Sequence, residues 1–347
     1  MVIVNARFLT QKVTGVQRFA IEISKILCKL LKDQIVFVTP HNILNHELAN
    51  ELNAIIIGKN TGTIWEQVDL RYYLILKRKP LLINFCNTGI LFYKKQMVTI
   101  HDMSYKVNSR WFSKKFSIWY NFLIPNITRN SLRILTVSNS AKNDIIKYLK
   151  VNPNKINVVY NSSYLNTNNN FGRTENGKYI LSVSSVDPRK NLNNLIGAFK
   201  KIDKNIKLII VGLKSNNFGV ALDAELLNSN IVIKGYVSDF ELGSLMKHAE
   251  AFVYLSFYEG FGLPPVEAME MGCPVIVSDI PAHREVCGGA ALYADPNSIE
   301  EIQNKIIQVL SNDKLRQKLI NAGMKNIERF NWFDSAQKVL NYINEIF

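Results

Sequence analysis

The chain has 347 residues, which at about 150 residues per domain suggests two domains. Hydrophobic residues make up 47% and charged residues 20%, which excludes a disordered or collagen-like chain and supplies two cores without disulfide staples. The net charge of +14 is unevenly spread: residues 1–170 hold 23 basic and 8 acidic side chains, the remainder 19 and 20. Such asymmetry points to nucleic acid, an anionic membrane surface or an acidic substrate, with a well-solvated lysine-rich surface as the plainer reading.

Cys28, Cys86, Cys273 and Cys287 form no C-x-x-C pair, so neither a zinc site nor a disulfide framework is expected, and a reducing cytoplasm is the natural compartment. The opening MVIVNARFLT is too short an apolar run for a signal peptide. No stretch approaches the roughly 20 apolar residues that span a bilayer. These features predict a soluble, intracellular protein.

In chain order, VIVNARF reads as a strand and VQRFAIEISKILCKLL as a helix. QIVFVTP, NAIIIG, LLINFCN, MVTIHD and RILTVSN are further short apolar runs, each ending in Gly, Pro, Asn or Asp. Strands alternating with helices imply βαβ units and a mostly parallel sheet covered on both faces. The polar run SSYLNTNNNFGRTENGK, residues 162–178, then interrupts the pattern. A second series follows: YILSVSS, the helical NLNNLIGAFKKI, KLIIVG, IVIKGYV, the helical ELGSLMKHA, AFVYLS, the helical PPVEAMEMG, PVIVSD and one long amphipathic stretch from Ser298 to about Ile327. NWFDSAQKVLNYINEIF is a separate helix after a break near Phe330. The expected fold is α/β: doubly wound Rossmann-like domains at 1–165 and 179–330 facing across a cleft, a linker at 166–178, and a final helix at 331–347.

The most informative stretch is SFYEGFGLPPVEAMEMG, Ser256 to Gly272. Gly260 and Gly262 let the backbone turn and approach a ligand. Pro264 and Pro265 favour a helix start, whose amides suit phosphate or partially negative sugar oxygens. Glu259 falls in the loop before that helix and Glu267 within its first turn, so the two carboxylates are placed to grip different parts of one ligand. The plainer alternative makes Glu267 a helix-dipole partner and Glu259 a solvated loop residue.

E-G-F-G-L-P-P-V-E-A-M resembles the E-x7-E signature of glycosyltransferase family 4, retaining enzymes with the GT-B fold. The similarity runs collinearly over nearly the whole chain: TGVQRFAIEI, VTIHDMSY, TVSNSAKNDIIKYLKVNPNKINVVYNS, SVSSVDPRKNLNNLIGAF and CPVIVSDIPAHREVCGGAALYADP each resemble a family segment. The resemblance implies that Glu267 holds the ribose and Glu259 the donor hexose, and that backbone amides near Phe261, Gly262 and Leu263 orient the sugar. It gives Arg189 and Lys190 the diphosphate, chemistry suited to a bidentate guanidinium beside a compact ammonium. Some members carry a further Arg where this chain has Ser184. In the same likeness Gly15 approaches the phosphates from the opposite domain, and His101 lies near donor sugar and acceptor. The loop Gly235-Tyr236-Val237-Ser238-Asp239 resembles the family's base-holding loop, with Ser238 or Asp239 as the cap of the next helix the equal alternative. Asp102 either assists the acceptor hydroxyl or caps a helix, and the last helix crosses back to the N-terminal domain.

Residues 103–124 mix Lys and Arg with Trp, Tyr and Phe, which suits a membrane interface; no nucleic-acid motif is present. The implied activity is metal- and cofactor-independent retaining hexosyl transfer, mannose or a relative and GDP-linked as first choice. The implied acceptor is a lipid-linked oligosaccharide of O antigen or capsule, met at the inner face of the cell membrane by a peripherally associated enzyme. The alternatives are a UDP- or dTDP-sugar donor, or a non-catalytic sugar- or membrane-binding protein.

Overall fold

The computed structural model describes residues 1–165, 171–185, 187–202, 205–212 and 230–346. The chain forms two compact units: Met1–Lys106, Ser117–Asn161 and Asn331–Phe347 make the first, Val107–Phe116 and Ser162–Phe330 the second.

In the first unit, β1 (Val2–Asn5) leads through α1 (Gly15–Leu31) to β2 (Ile35–Thr39) and the edge strand β3 (Ile55–Ile56). A helical segment over 62–76, with a π-helical turn at Trp65–Leu70, crosses to β4 (Leu81–Asn84) and then β5 (Gln96–Thr99). Next come α2 (Lys114–Asn130), β6 (Arg133–Thr136) and β7 (Ile156–Val158). The sheet order is β3-β2-β1-β4-β5-β6-β7, with every pair parallel. The central strands are apolar runs buried on both faces, as helices on both sides of a parallel sheet require. Five of them end in a buried polar residue: Asn5, Thr39, Asn84, Thr99 and Thr136.

The chain reverses direction across the sheet between β1 and β4, the position where ligands of open α/β sheets gather. There Glu66 is fully buried, accepting from Asn5 Nδ2 and Thr88 Oγ1, each at 2.8 Å, and pairing with Arg7 Nε at 3.0 Å. This network ties the π-helical turn to the carboxyl ends of β1 and β4.

The second unit opens with β8 (Lys178–Val183), α3 (Leu192–Phe199), β9 (Ile206–Val211), β10 (Ile231–Lys234) and α4 (Asp239–His248). It continues with β11 (Ala251–Tyr254), α5 (Leu263–Glu270), β12 (Val275–Ser278), α6 (Pro281–Cys287) and β13 (Ala291–Ala294). Its sheet, β10-β9-β8-β11-β12-β13, is again parallel and reverses between β8 and β11. Two parallel-sheet α/β domains of this kind are the GT-B fold.

Several local expectations change. The long stretch from Ser298 is two helices, α7 (Ile299–Leu310) and α8 (Asp313–Ile327), because the Asn312 side chain accepts from Leu315 N and starts the second. Of NAIIIG only Ile55–Ile56 is a strand. The basic aromatic run 103–124 breaks into short turns at Ser104–Val107 and Ser109–Trp111 before α2 begins. Of the expected linker, residues 166–170 lie outside the described residues, whereas Phe171 is buried and its ring lies 5.3 Å from that of Phe240 on α4. The final helix, α9 (Trp332–Asn344), belongs to the first unit, where Trp332 meets Phe19 of α1 edge-on at 6.1 Å.

Candidate active site

Two loops leave the sheet at the reversal point of the second unit. After β8, the Asp187 side chain accepts from Arg189 N at 2.8 Å and sets the tight turn Pro188–Lys190. After β11, the loop carrying Glu259 is tied to that turn by Phe257 N donating to Arg189 O at 2.8 Å. Residues about 70 positions apart in sequence therefore share one site, because β8 and β11 are neighbours in the sheet.

Lys190 Nζ donates to Glu259 Oε1 at 2.5 Å and also to Tyr254 Oη; Tyr254 Oη in turn donates to Glu259 Oε1 at 3.0 Å. Arg189 Nη1 lies 3.7 Å from Glu259 Oε2, and Arg189 Nε 3.4 Å from Asp187 Oδ2. Burial alone raises the Glu259 pKa; the charges of Lys190 and Arg189 and the Lys190 hydrogen bond outweigh it and bring it down to about 2. Burial pulls the Lys190 pKa down, opposed by the carboxylate. Burial pushes the Tyr254 hydroxyl well above its ordinary range, so it stays protonated as a donor. The result is two basic side chains held against a carboxylate that is ionised at neutral pH, at the carboxyl edge of a sheet.

Gly262 precedes α5 with φ +89, and a Cβ there would stand 3.0 Å from His283 Cδ2 and 3.1 Å from Nε2. Both the backbone angle and the space demand glycine. His283 is fully buried. The Ser278 carbonyl, 3.0 Å from its Nδ1, can only accept, so Nδ1 carries the proton and Nε2 turns a bare lone pair towards the Gly262 turn. Burial lowers the His283 pKa to about 4 and keeps the ring neutral.

One expectation about α5 is corrected. Glu267 sits in the second turn, not the first, because the helix begins at Leu263. Pro264 and Pro265 carry no N–H, so Leu263 supplies the single amide hydrogen of the first three helical residues. The helix end therefore offers an anion fewer N–H donors than its length suggests, and the positive charge beside it comes from Arg189 and Lys190. Glu267 is buried, 3% exposed. The Phe261 ring packs edge-on to Phe330 at 5.4 Å. Ser184 is buried and donates to the Ser185 carbonyl. Ser238 caps α4 through Glu241 N, and Val237 beside it lies in the loop that follows β10, a strand three places from β11 in the sheet. At about 4.8 Å per strand that span is roughly 14 Å long, a length suited to an extended nucleotide sugar.

A model of glycosyl transferases group 1 matches residues 166–326, and a model of glycosyltransferase family 4 matches residues 13–162. The chain belongs to glycosyltransferase family 4. Its relatives include the O-antigen chain mannosyltransferase RfbU of Salmonella typhimurium, 30% identical over 79% of this chain and 78% of the relative. The O-antigen chain mannosyltransferase B of Escherichia coli is 28% identical over 72% and 70%. Sucrose-phosphate synthase from Thermosynechococcus elongatus shares the fold, with a TM-score of 0.77 and 16% identity over 100% of this chain and 98% of that one.

In the first unit of this glycosyltransferase, His101 follows β5 and is 6% exposed. Its Nε2 lies 2.8 Å from the Phe85 carbonyl and must be the protonated nitrogen, leaving Nδ1 as the base. Burial lowers its pKa, and Phe19 meets the ring edge-on at 5.1 Å. Asp102 Oδ1 accepts from Ser104 N at 2.8 Å, a helix-capping contact. Gly15 opens α1, and a Cβ built on it meets nothing within 4 Å. The chain's own packing does not require glycine there.

Two residues of the glycosyltransferase site escaped the sequence reading. Tyr254 lay inside the apolar run AFVYLS, where its position at a strand's carboxyl end was the available signal. His283 lay in IPAHREV, and its contact with Gly262 joins elements that only the sheet brings together.

Proposed function

We propose that this glycosyltransferase moves a hexosyl group, mannose from a GDP-linked donor, onto a lipid-linked oligosaccharide of a bacterial surface polysaccharide with retention of anomeric configuration. The observation that carries the reading is the Arg189–Lys190–Glu259 cluster at the β8/β11 reversal; the names of the O-antigen mannosyltransferase relatives support the sugar and the pathway class. In this reading Arg189 and Lys190 hold the diphosphate. As the C1–O bond to it breaks, negative charge grows on the phosphate oxygens, and fixed cations lower that barrier without a metal ion. The acceptor oxygen bonds to C1 from the same face, and its proton passes to a departing phosphate oxygen. Glu259 holds hexose hydroxyls, Glu267 the ribose, and backbone at Phe261, Gly262 and Leu263 the sugar. Val237 borders the base. His101, neutral and carrying a basic Nδ1, and Asp102 attend the acceptor, with Gly15 at the phosphates. The basic first half suits an anionic membrane surface, and the working place is the inner face of the cell membrane.

A panel of nucleotide sugars tested for transfer and donor hydrolysis examines this directly. GDP-mannose is the expected donor; turnover only with UDP- or dTDP-sugars overturns the donor assignment. Glu259→Ala separates an enzyme from a non-catalytic binding protein, since the folded variant is expected to lose transfer.

A further inference from the structure

The helical segment over 62–76 in the first unit is apolar on both sides. Its inner side, Trp65, Leu70 and Leu74, is fully buried in the core beneath β1 and β4. Its outer side carries Ile64 (62% exposed), Val68 (55%), Tyr72 (64%), Ile75 (51%) and Leu76 (62%) in one stripe. A surface helix ordinarily turns polar residues outward, and one that is apolar all round has a second apolar neighbour. The adjoining loop adds Phe92, 64% exposed and held at φ +59, a conformation that bulky side chains rarely adopt. That loop is fixed to the helix: Leu91 N donates to Gln67 Oε1 at 3.0 Å, and Arg71 Nη1 reaches the Leu91 carbonyl.

Charge identifies the neighbour. Arg71 lies within the stripe and Lys77, Arg78 and Lys79 follow it at once, all exposed. The segment has two acids. Glu66 is fully buried, and Asp69 accepts from the backbone amides of Lys59 and Asn60 at 3.1 and 2.8 Å. Aliphatic and aromatic side chains rimmed by Lys and Arg match a bilayer interface, where the rings sink and the cations meet lipid phosphates. A second copy of this chain fits poorly, because a self-complementary contact brings the same cations against one another.

We propose that the outer face of residues 62–76, with Phe92, is the surface by which this protein docks on an anionic bilayer. The proposal rests on the reading that the acceptor is lipid-linked, and it differs from the aromatic-basic run 103–124, whose most exposed apolar side chains, Ile118 (72%) and Phe122 (49%), lie on α2.

Co-sedimentation of the full chain with vesicles of phosphatidylcholine, alone or mixed with phosphatidylglycerol, tests it. Binding is expected only to the anionic vesicles and is expected to weaken with salt. Val68→Glu with Leu76→Glu should abolish it. Lys77→Gln with Lys79→Gln should weaken it by about thirtyfold, and Ile118→Ser with Phe122→Ser should change it little. All three variants alter exposed positions, so donor binding and thermal unfolding are expected to match the parent and report that each is folded. Binding lost only in the Ile118/Phe122 variant overturns the assignment and leaves the membrane reading standing. A parent that binds no vesicle overturns both. Dimerisation broken by Val68→Glu, without vesicle binding, assigns the face to a second copy and overturns the proposal.

Discussion

Lys190 Nζ stands 2.5 Å from Glu259 Oε1, so the cation assigned to phosphate and the carboxylate assigned to sugar neutralise one another directly. In the proposed reading, an arriving diphosphate competes with Glu259 for Lys190 and Arg189, and the carboxylate it displaces becomes available to hydroxyl groups.

The same pair makes a pH prediction. The Glu259 pKa falls from an ordinary 4.5 to about 2 in the folded protein. The unfolded chain therefore binds the proton more readily, and the stabilisation is complete above pH 4.5 and lost as pH falls towards 2. The difference corresponds to ~3 kcal/mol. Urea midpoints followed over that window should drop steeply in the parent, and the drop should be largely absent in Glu259→Gln, which starts less stable at neutral pH.

His283 has the same sign for a different reason. Its pKa is lowered from 6.5 to about 4 by burial, so the stability due to the neutral ring is full above pH 6.5 and declines as pH falls towards 4. Nitrogen-detected NMR is expected to show the Nδ1–H tautomer, unchanged in protonation from pH 7 down to pH 5. An imidazolium signal in that range contradicts the assignment.

Two glycines should respond in opposite ways. Gly262→Ala places a methyl group at 3.0 Å from His283 with φ +89, and a loss of about 2 kcal/mol is expected. Gly15→Ala meets open space at the start of α1, so unfolding should be unchanged or slightly later. Donor affinity should fall in Gly15→Ala if the backbone there approaches phosphate. Thermal scans beside donor titrations separate the two effects.

Much of the fold was legible because the strands are short apolar runs with polar ends, such as VIVN and LLIN, and because the Asp-Pro-Arg-Lys turn announces itself in sequence. The pairing of Arg189 with Glu259 was not, since it depends on β8 and β11 being neighbours. Glu267 was placed a turn too early because the residue that starts α5 depends on Gly262 adopting φ +89. His283 and Tyr254 were hidden for the same reason: both look like core residues until the sheet sets Tyr254 against Glu259 and His283 against the Gly262 turn. The apolar stripe from Ile64 to Leu76 is the converse case, since its spacing is that of a core helix and only exposure shows that half of it faces outward.

Arg189 and Lys190 are assigned to a diphosphate, and titration calorimetry with GDP and UDP on the parent, Arg189→Gln and Lys190→Gln decides that assignment. Each substitution removes a charged hydrogen-bond donor from the site, and a loss of about 10- to 100-fold in nucleoside diphosphate affinity is predicted for the preferred nucleotide. Equal affinity in all three folded proteins would contradict the account.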